Sequence, residues 1–119
     1  MQTFAVKVKR VHDEASAGDG FRVLVDRLWP RGVSKDRARL DLWLKEVAPS
    51  TELRRWFHAD EGRFDEFAVR YRAELDGNPA VERLRGIVAE HPVVTLLYAA
   101  RAPQDRNHAT VLAEVIRSA

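Results

Sequence analysis

The chain has 119 residues, 45% of them hydrophobic and 32% charged, and this length and composition predict one globular domain over residues 1–119. It contains no cysteine, which excludes disulfides, thiolate catalysis and cysteine zinc sites and fits a cytoplasmic location. No apolar run approaches the roughly 18 residues of a membrane span. The net charge of +2 is too balanced for a dedicated nucleic-acid binder.

The first predicted element is a strand over residues 4–10, in which Phe4, Val6 and Val8 alternate with Lys7 and Lys9. This alternation is typical of a half-buried strand, and lysines are common where such a strand lies at a sheet edge. Residues 12–20 are rich in small, turn-forming residues and predict a loop. The loop is shorter than the dozen or so residues of a helical crossover. The direction of the first strand relative to the second therefore stays open.

A second strand is predicted at Val23, Leu24 and Val25, a short apolar run that suits burial on both faces. It runs into the sequence Asp-Arg-Leu-Trp-Pro-Arg-Gly at residues 26–32. A proline there excludes a central strand or helix interior, and the glycine allows a sharp turn. Ligand sites of open α/β sheets lie just beyond the carboxyl ends of strands. This segment is therefore the first candidate for function.

The next elements are short. Ser34 can cap a helix that runs to residue 40. Residues 41–47 fit either a helix or a short strand, with the strand slightly favoured. Either element ends by Ala48, because the residue before a proline avoids the helical region.

Three amphipathic helices are predicted between residues 50 and 91. The first covers residues 51–58 with Ser50 as its N-cap. The second follows Asp60, and its apolar residues recur at helical spacing: Phe64, Phe67, Ala68, Tyr71 and Leu75. The third starts at Gly77-Asn78-Pro79, which combines a C-cap glycine, an N-cap asparagine and a first-turn proline.

The last strand is predicted over residues 93–100, which are apolar nearly throughout. A polar loop and a final helix to Ile116 follow it. Strands that alternate with helices predict a single-domain α/β sandwich. We expect a small, mostly parallel sheet of about four strands flanked by helices, and a mixed sheet stays open as an alternative.

The loops after the second and last strands carry the candidate site. If these strands are parallel neighbours, both loops lie at one rim, together with the N-terminal amides of the last helix. Arginine suits a carboxylate or phosphate ligand because its planar fork binds two oxygens at once. The sequence therefore predicts a site for an anionic small molecule. The predicted ligand-binding residues are Asp26, Arg27, Trp29, Arg31, Lys45, Ser50, Arg101, Asn107 and His108.

A structural interpretation of the same residues is also open. Asp26 could pair with Arg27 or Arg101, and Ser50 and Asn107 could serve only as helix caps. His108 is the one candidate for proton transfer near neutral pH. No zinc motif, strained nucleophile turn or glycine-rich phosphate loop is found, so neither a metal nor a cofactor is predicted.

Two other classes of function are weighed against the anion site. A non-enzymatic nucleic-acid-binding or regulatory module would present a continuous basic face that includes Lys7 and Lys9. A self-associating interaction domain would expose an apolar patch, for example around Trp43 or the first strand.

Several segments together resemble a known family. These are residues 8–11, 19–33, 44–46, 48–50, 53–57, 95–101 and 107–109, with the run Asp-Arg-Leu-Trp-Pro-Arg-Gly the most specific. The chain resembles the YeaO-like branch of domain-of-unknown-function family 488 over nearly its whole length. The resemblance implies a small bacterial-type α/β sandwich, implies no particular activity, and favours a strand over residues 41–47. Broader relatives carry a cysteine in the loop after the last strand. Here that loop follows Tyr98 without a cysteine, so a thiol mechanism is excluded.

Overall fold

The protein, described from a computed structural model for residues 5–99 and 106–118, is built around one parallel sheet. Within these residues the sheet has the order β1-β4-β2-β3, and each neighbouring pair is parallel. The predicted α/β architecture is confirmed, and the mixed-sheet alternative is wrong. The strands are β1 (Ala5–Arg10), β2 (Phe21–Leu24), β3 (Leu42–Trp43) and β4 (Val93–Tyr98). Phe4, in the first predicted strand, lies outside the described residues.

A short connection with a 3₁₀ turn at Ala17–Asp19 joins β1 to β2 across β4. The two strands are not neighbours; β4 lies between them and pairs with both. The predicted pairing of the second and last strands is therefore confirmed, with Val23 opposite Leu96 and Leu24 opposite Leu97.

Helices cover the sheet and begin at the predicted caps. Ser34 and Ser50 each accept a hydrogen bond from a first-turn amide through their side chains. Asn78 does the same ahead of Pro79, and Asn107 caps the last helix by accepting from the Thr110 amide at 3.0 Å. The helices are α1 (Lys35–Ala38), α2 (Thr51–Ala59), α3 (Phe64–Leu75), α4 (Pro79–Glu90) and α5 (His108–Arg117). No helix in the described part of the chain is long and apolar enough to cross a membrane.

Two apolar cores lie on opposite faces of the sheet, because successive strand side chains point to opposite sides. The larger core includes Val23 and Leu96 and packs against α2 to α5. The smaller core includes Leu24 and Leu97 and is closed by Ala38 of α1. Burial on both faces accounts for the nearly continuous apolar sequence of β4.

The turn into β2 requires a glycine. Gly20 has φ 63°, a left-handed conformation that residues with a Cβ rarely adopt. A Cβ placed there would lie 2.2 Å from the Val93 carbonyl oxygen. The tight approach brings β2 against β4 and lets the Thr95 hydroxyl donate to the Asp19 carbonyl at 2.6 Å.

The strand predicted over residues 41–47 is much shorter than expected. Only Leu42–Trp43 pairs with β2, and Lys45–Val47 forms a 3₁₀ turn. The reason is that β2 ends at Leu24, so a longer β3 would have no partner. The turn instead directs Leu44 and Val47 into the larger core.

Candidate ligand cavity

A cavity of about 220 Å³ lies beyond the carboxyl ends of β2 and β4, beside the first turn of α5. This is the position at which parallel α/β sheets commonly hold ligands. Its polar residues come from the loop after β2, from α2 and from the start of α5. Further apolar residues come from α3 and from the segment just before α2. The lining residues are Asp26, Arg27, Leu28, Ala48, Pro49, Arg54, Phe57, His58, Phe67, Ala99, Asn107 and His108.

An aspartate and a histidine meet at the inner end of this cavity. Asp26 Oδ1 lies 2.9 Å from His108 Nε2, and both side chains are largely buried. The contact is close but poorly directed, so neither atom has a well-aligned hydrogen bond to a described residue. The other carboxylate oxygen of Asp26 accepts from the Ala99 amide at 3.0 Å. Asp26 thus links the two strand ends.

Tyr71 supports this pair from the core side. Its ring lies edge-on to that of His108, with the centroids 6.4 Å apart. Burial raises the pKa of the Tyr71 hydroxyl well above its ordinary value of 10.0, and the charges of Glu74 and Asp26 add to the increase. The hydroxyl therefore keeps its proton and donates to the Val47 carbonyl.

Two arginines line the cavity, and they differ in how many of their hydrogen-bond donors have partners. Arg27 is held by the loop before α2, with its Nη2 donating to the Ala48 carbonyl at 3.2 Å and its Nε to that of Pro49 at 3.4 Å. Arg54 makes no ion pair with a described residue, and its Nε is buried without a hydrogen-bond partner among them. The cavity therefore contains a cationic side chain whose donors are not fully used.

The opposite wall is apolar. Phe57 of α2 and Phe67 of α3 are stacked with ring centroids 4.4 Å apart, and both are almost fully buried. Leu28 closes the outer part of the wall and is 60% exposed. The cavity thus has a cationic side and an apolar side.

The structure brings four of the predicted site residues together: Asp26, Arg27, Asn107 and His108 all line the cavity. Asn107 also caps α5, as the structural interpretation proposed. The predicted ion pair of Asp26 with Arg27 is not formed, because Arg27 turns to backbone carbonyls and His108 takes the place beside Asp26.

Other predicted residues lie elsewhere. Trp29 packs edge-on against Trp43 in the smaller core, on the opposite face of the sheet, and donates to the Val33 carbonyl at 2.8 Å. Its indole therefore does not wall this cavity. Lys45 lies over the Trp43 ring, 5.1 Å from the centroid.

Three further predicted residues do not line the cavity. Ser50 caps α2, and its backbone amide and hydroxyl both donate to the Glu74 carboxylate. Arg31 is exposed, and its carbonyl lies 3.4 Å from His12 Nε2. Arg101 lies outside the described residues.

Sequence reasoning missed the contribution of α2. Arg54, Phe57 and His58 stand at i, i+3 and i+4 and therefore share one helical face. In the sequence, the apolar residues Leu53, Trp56 and Phe57 mark the buried face of this helix, and Arg54 beside them fits a solvated surface equally well. An arginine at helical spacing from a buried aromatic residue was the available signal.

Comparison with known proteins identifies the family. A family model described as the inactive DUF488-N3 subclade matches residues 5–119. The chain belongs to this subclade. It is 48% identical to the uncharacterized protein Rv3073c of Mycobacterium tuberculosis H37Rv, across 93% of this chain and 92% of that protein. It is 44% identical to the uncharacterized protein YeaO of Escherichia coli K12, across 95% and 97% respectively. No solved structure matches the chain. The predicted YeaO-like family is thereby confirmed.

Proposed function

We propose that the cavity binds a small anion that carries a carboxylate or phosphate group, and that the protein does not convert this ligand chemically. The observation that carries the proposal is Arg54, whose Nε is buried at the cavity without a hydrogen-bond partner among the described residues. A buried cationic donor without a partner is costly, and a bound anion would satisfy it.

Neighbouring groups support an anionic ligand. Arg27 lines the same cavity, and its Nη1 makes no hydrogen bond to a described residue. The first turn of α5 lies beside the cavity and adds the partial positive charge of a helix N-terminus. The negative charge of Asp26 is partly offset by the Ala99 amide, which donates a hydrogen bond to its Oδ2.

Binding without turnover is supported by what the chain lacks and by its family. The chain has no cysteine, whereas the resemblance implies a cysteine after the last strand in broader relatives. The matching subclade is itself described as inactive. A cavity can keep its binding groups after its reactive group is lost, and such a cavity binds its ligand without converting it.

The nucleic-acid alternative has weaker support. Exposed arginines that a continuous basic face would need are paired with carboxylates: Arg70 with Glu66 at 2.9 Å, and Arg72 with Glu114. The guanidinium carbons of Arg70 and Arg63 also lie over the Trp56 ring, 4.4 Å and 4.9 Å from its centroid. Such a mixed surface offers little uncompensated charge to phosphates.

The test is a titration with inorganic phosphate and with acetate, followed by NMR amide shifts and calorimetry. Wild-type protein should show shifts at Arg27, Asn107 and His108. Loss of a charged hydrogen bond is worth roughly 1.5–3 kcal/mol, so Arg54→Gln should weaken binding by roughly 10- to 100-fold.

The matched control is Arg55→Gln, since Arg55 is the next residue of α2, is exposed and does not line the cavity. It should leave the affinity unchanged. Equal loss in both variants would indicate a general charge effect. That result would overturn the proposal, as would the absence of Arg54-dependent binding by every carboxylate and phosphate tested.

A further inference from the structure

We infer that the cavity selects a monocarboxylate with a single flat apolar ring, rather than inorganic phosphate or a short aliphatic acid. This inference rests on the proposed function and adds the chemical class of the ligand. It follows from three properties of the cavity: its size, its apolar wall and the balance of its charges.

The size fits one ring and one charged group. The cavity measures about 220 Å³. An apolar protein cavity of about 150 Å³ accommodates a benzene molecule, and the remaining volume is enough for a carboxylate. Sites for larger, drug-sized molecules occupy roughly 300–1,000 Å³. A dinucleotide or an oligosaccharide would extend well beyond the cavity.

The apolar wall favours a ring. Phe57 and Phe67 present stacked aromatic rings to the cavity, and Pro49 and Leu28 continue this surface. Aromatic side chains pack well against other flat rings in offset or edge-to-face arrangements. Phe57 and Phe67 are already almost fully buried, so the part of this wall still in contact with water is mainly Leu28. A phosphate or acetate ion would leave Leu28 in water, whereas an aromatic ring would cover it.

The charges favour a single negative charge. Two arginines line the cavity, but Arg27 is already bound to two carbonyls, and Asp26 brings a carboxylate into the same space. A dianion near Asp26 would meet stronger repulsion than a monoanion. A carboxylate is planar and matches the fork of the Arg54 guanidinium.

Calorimetric titration of four probes at constant ionic strength tests the inference: benzoate, acetate, benzyl alcohol and inorganic phosphate. Benzoate should bind at least ten-fold more tightly than each of the other three. Benzyl alcohol keeps the ring without the charge, and acetate keeps the charge without the ring. The comparison therefore separates the two contributions.

Exposed apolar residues supply variants that should fold normally. Leu28→Ser should weaken benzoate binding by roughly 3- to 10-fold and leave acetate unchanged, since Leu28 lines the cavity and is 60% exposed. Val69→Ser is the matched control, because Val69 is 65% exposed on α3 and does not line the cavity. It should change neither affinity.

The outcomes distinguish this inference from the proposed function. If phosphate or acetate binds as tightly as benzoate and requires Arg54, the ring preference is wrong and the anion site stands. If benzoate affinity is the same in the Leu28→Ser variant, the ring does not lie against the apolar wall and the inference fails. If benzyl alcohol binds as tightly as benzoate, the charge adds nothing to binding of the ring and the inference fails. If none of the anions binds in an Arg54-dependent way, both proposals fail.

Discussion

Asp19 is a buried carboxylate held between two cations. Lys9 Nζ lies 3.1 Å from its Oδ1, and Arg22 contacts its Oδ2 with both side chains almost fully buried. Arg22 also donates to the Ala38 carbonyl through Nε at 3.1 Å and Nη2 at 2.8 Å. These contacts tie α1 and the loop before β2 to the sheet. Removing Asp19 would leave the buried Arg22 without its counter-ion.

This arrangement makes stability depend on pH in acid. Burial alone would raise the pKa of Asp19, but the Ser16 amide, the Lys9 ammonium and the Ser16 hydroxyl outweigh it and lower the pKa from 3.8 to about 2. Because the folded-state pKa is below the unfolded value, the carboxylate stabilises the fold above the unfolded pKa. This stabilisation is lost as the pH falls through about 2. At roughly 1.4 kcal/mol per pKa unit, the contribution is roughly 2 kcal/mol.

We therefore predict that Lys9→Met lowers stability at neutral pH and moves the acid-induced loss of stability to higher pH, since it removes a group that holds the Asp19 pKa down. Urea unfolding between pH 7 and pH 2 measures both effects. Lys35→Met, at an exposed lysine of α1, controls for the lost charge. An acid transition of Lys9→Met that coincides with that of the wild type would contradict the prediction.

At the scale of elements, a contact between the start of α2 and the end of α3 holds together two helices that line the cavity. Ser50 caps α2 and also donates its hydroxyl to Glu74 of α3 at 2.6 Å. α2 carries Arg54 and Phe57, and α3 carries Phe67; all three residues line the cavity. The cap therefore fixes the helix that supplies the Arg54 side chain of the proposed site.

Two cap serines provide a matched pair for a test. Ser34 and Ser50 each accept from the amide three residues ahead at 3.1 Å, but only Ser50 also binds a carboxylate of another helix. Ser34→Ala should cost about 1 kcal/mol or less. Ser50→Ala should cost about 1 kcal/mol more, because the charged hydrogen bond to Glu74 is lost as well.

Chemical denaturation of both variants, together with Glu74→Gln and the double variant, measures the coupling between Ser50 and Glu74. Equal losses for Ser34→Ala and Ser50→Ala would show that the contact with α3 contributes nothing to stability.

At the scale of the whole molecule, β4 organises the sheet. It pairs with β1 along six residues and with β2 along four, whereas β3 pairs through two residues only. Thr95, Leu96 and Leu97 are fully buried. The strand lies between the two cores, so it cannot separate from its neighbours without opening both.

We accordingly predict that the amides of β4 exchange with solvent hydrogen only through global unfolding, while the amide of Leu44, which donates to Leu24 at the β3 edge, exchanges through local opening. Hydrogen exchange followed by NMR at increasing urea concentration distinguishes the two routes. Equal protection of Leu44 and Leu96 would contradict this prediction.

The sequence was sufficient for local structure and for part of the site. The caps at Ser34, Ser50, Asn78 and Asn107 were predicted because a short polar side chain satisfies helix amides close to it in sequence. The nearly continuous apolar run of β4 indicated burial on two faces. Parallel pairing with β2, considered from the sequence and found in the structure, brings Asp26 and His108 together.

Only the tertiary structure decided which charged and aromatic residues face the cavity. Arg22 is buried and Arg54 lines the cavity, although both belong to patterns that also suit a solvated arginine. Trp29 follows the same strand as Asp26, yet it packs on the opposite face of the sheet. Local propensity is set by neighbours in sequence and could be predicted. The direction of a long side chain depends on which distant helix or strand packs against it, and the linear pattern does not contain that information.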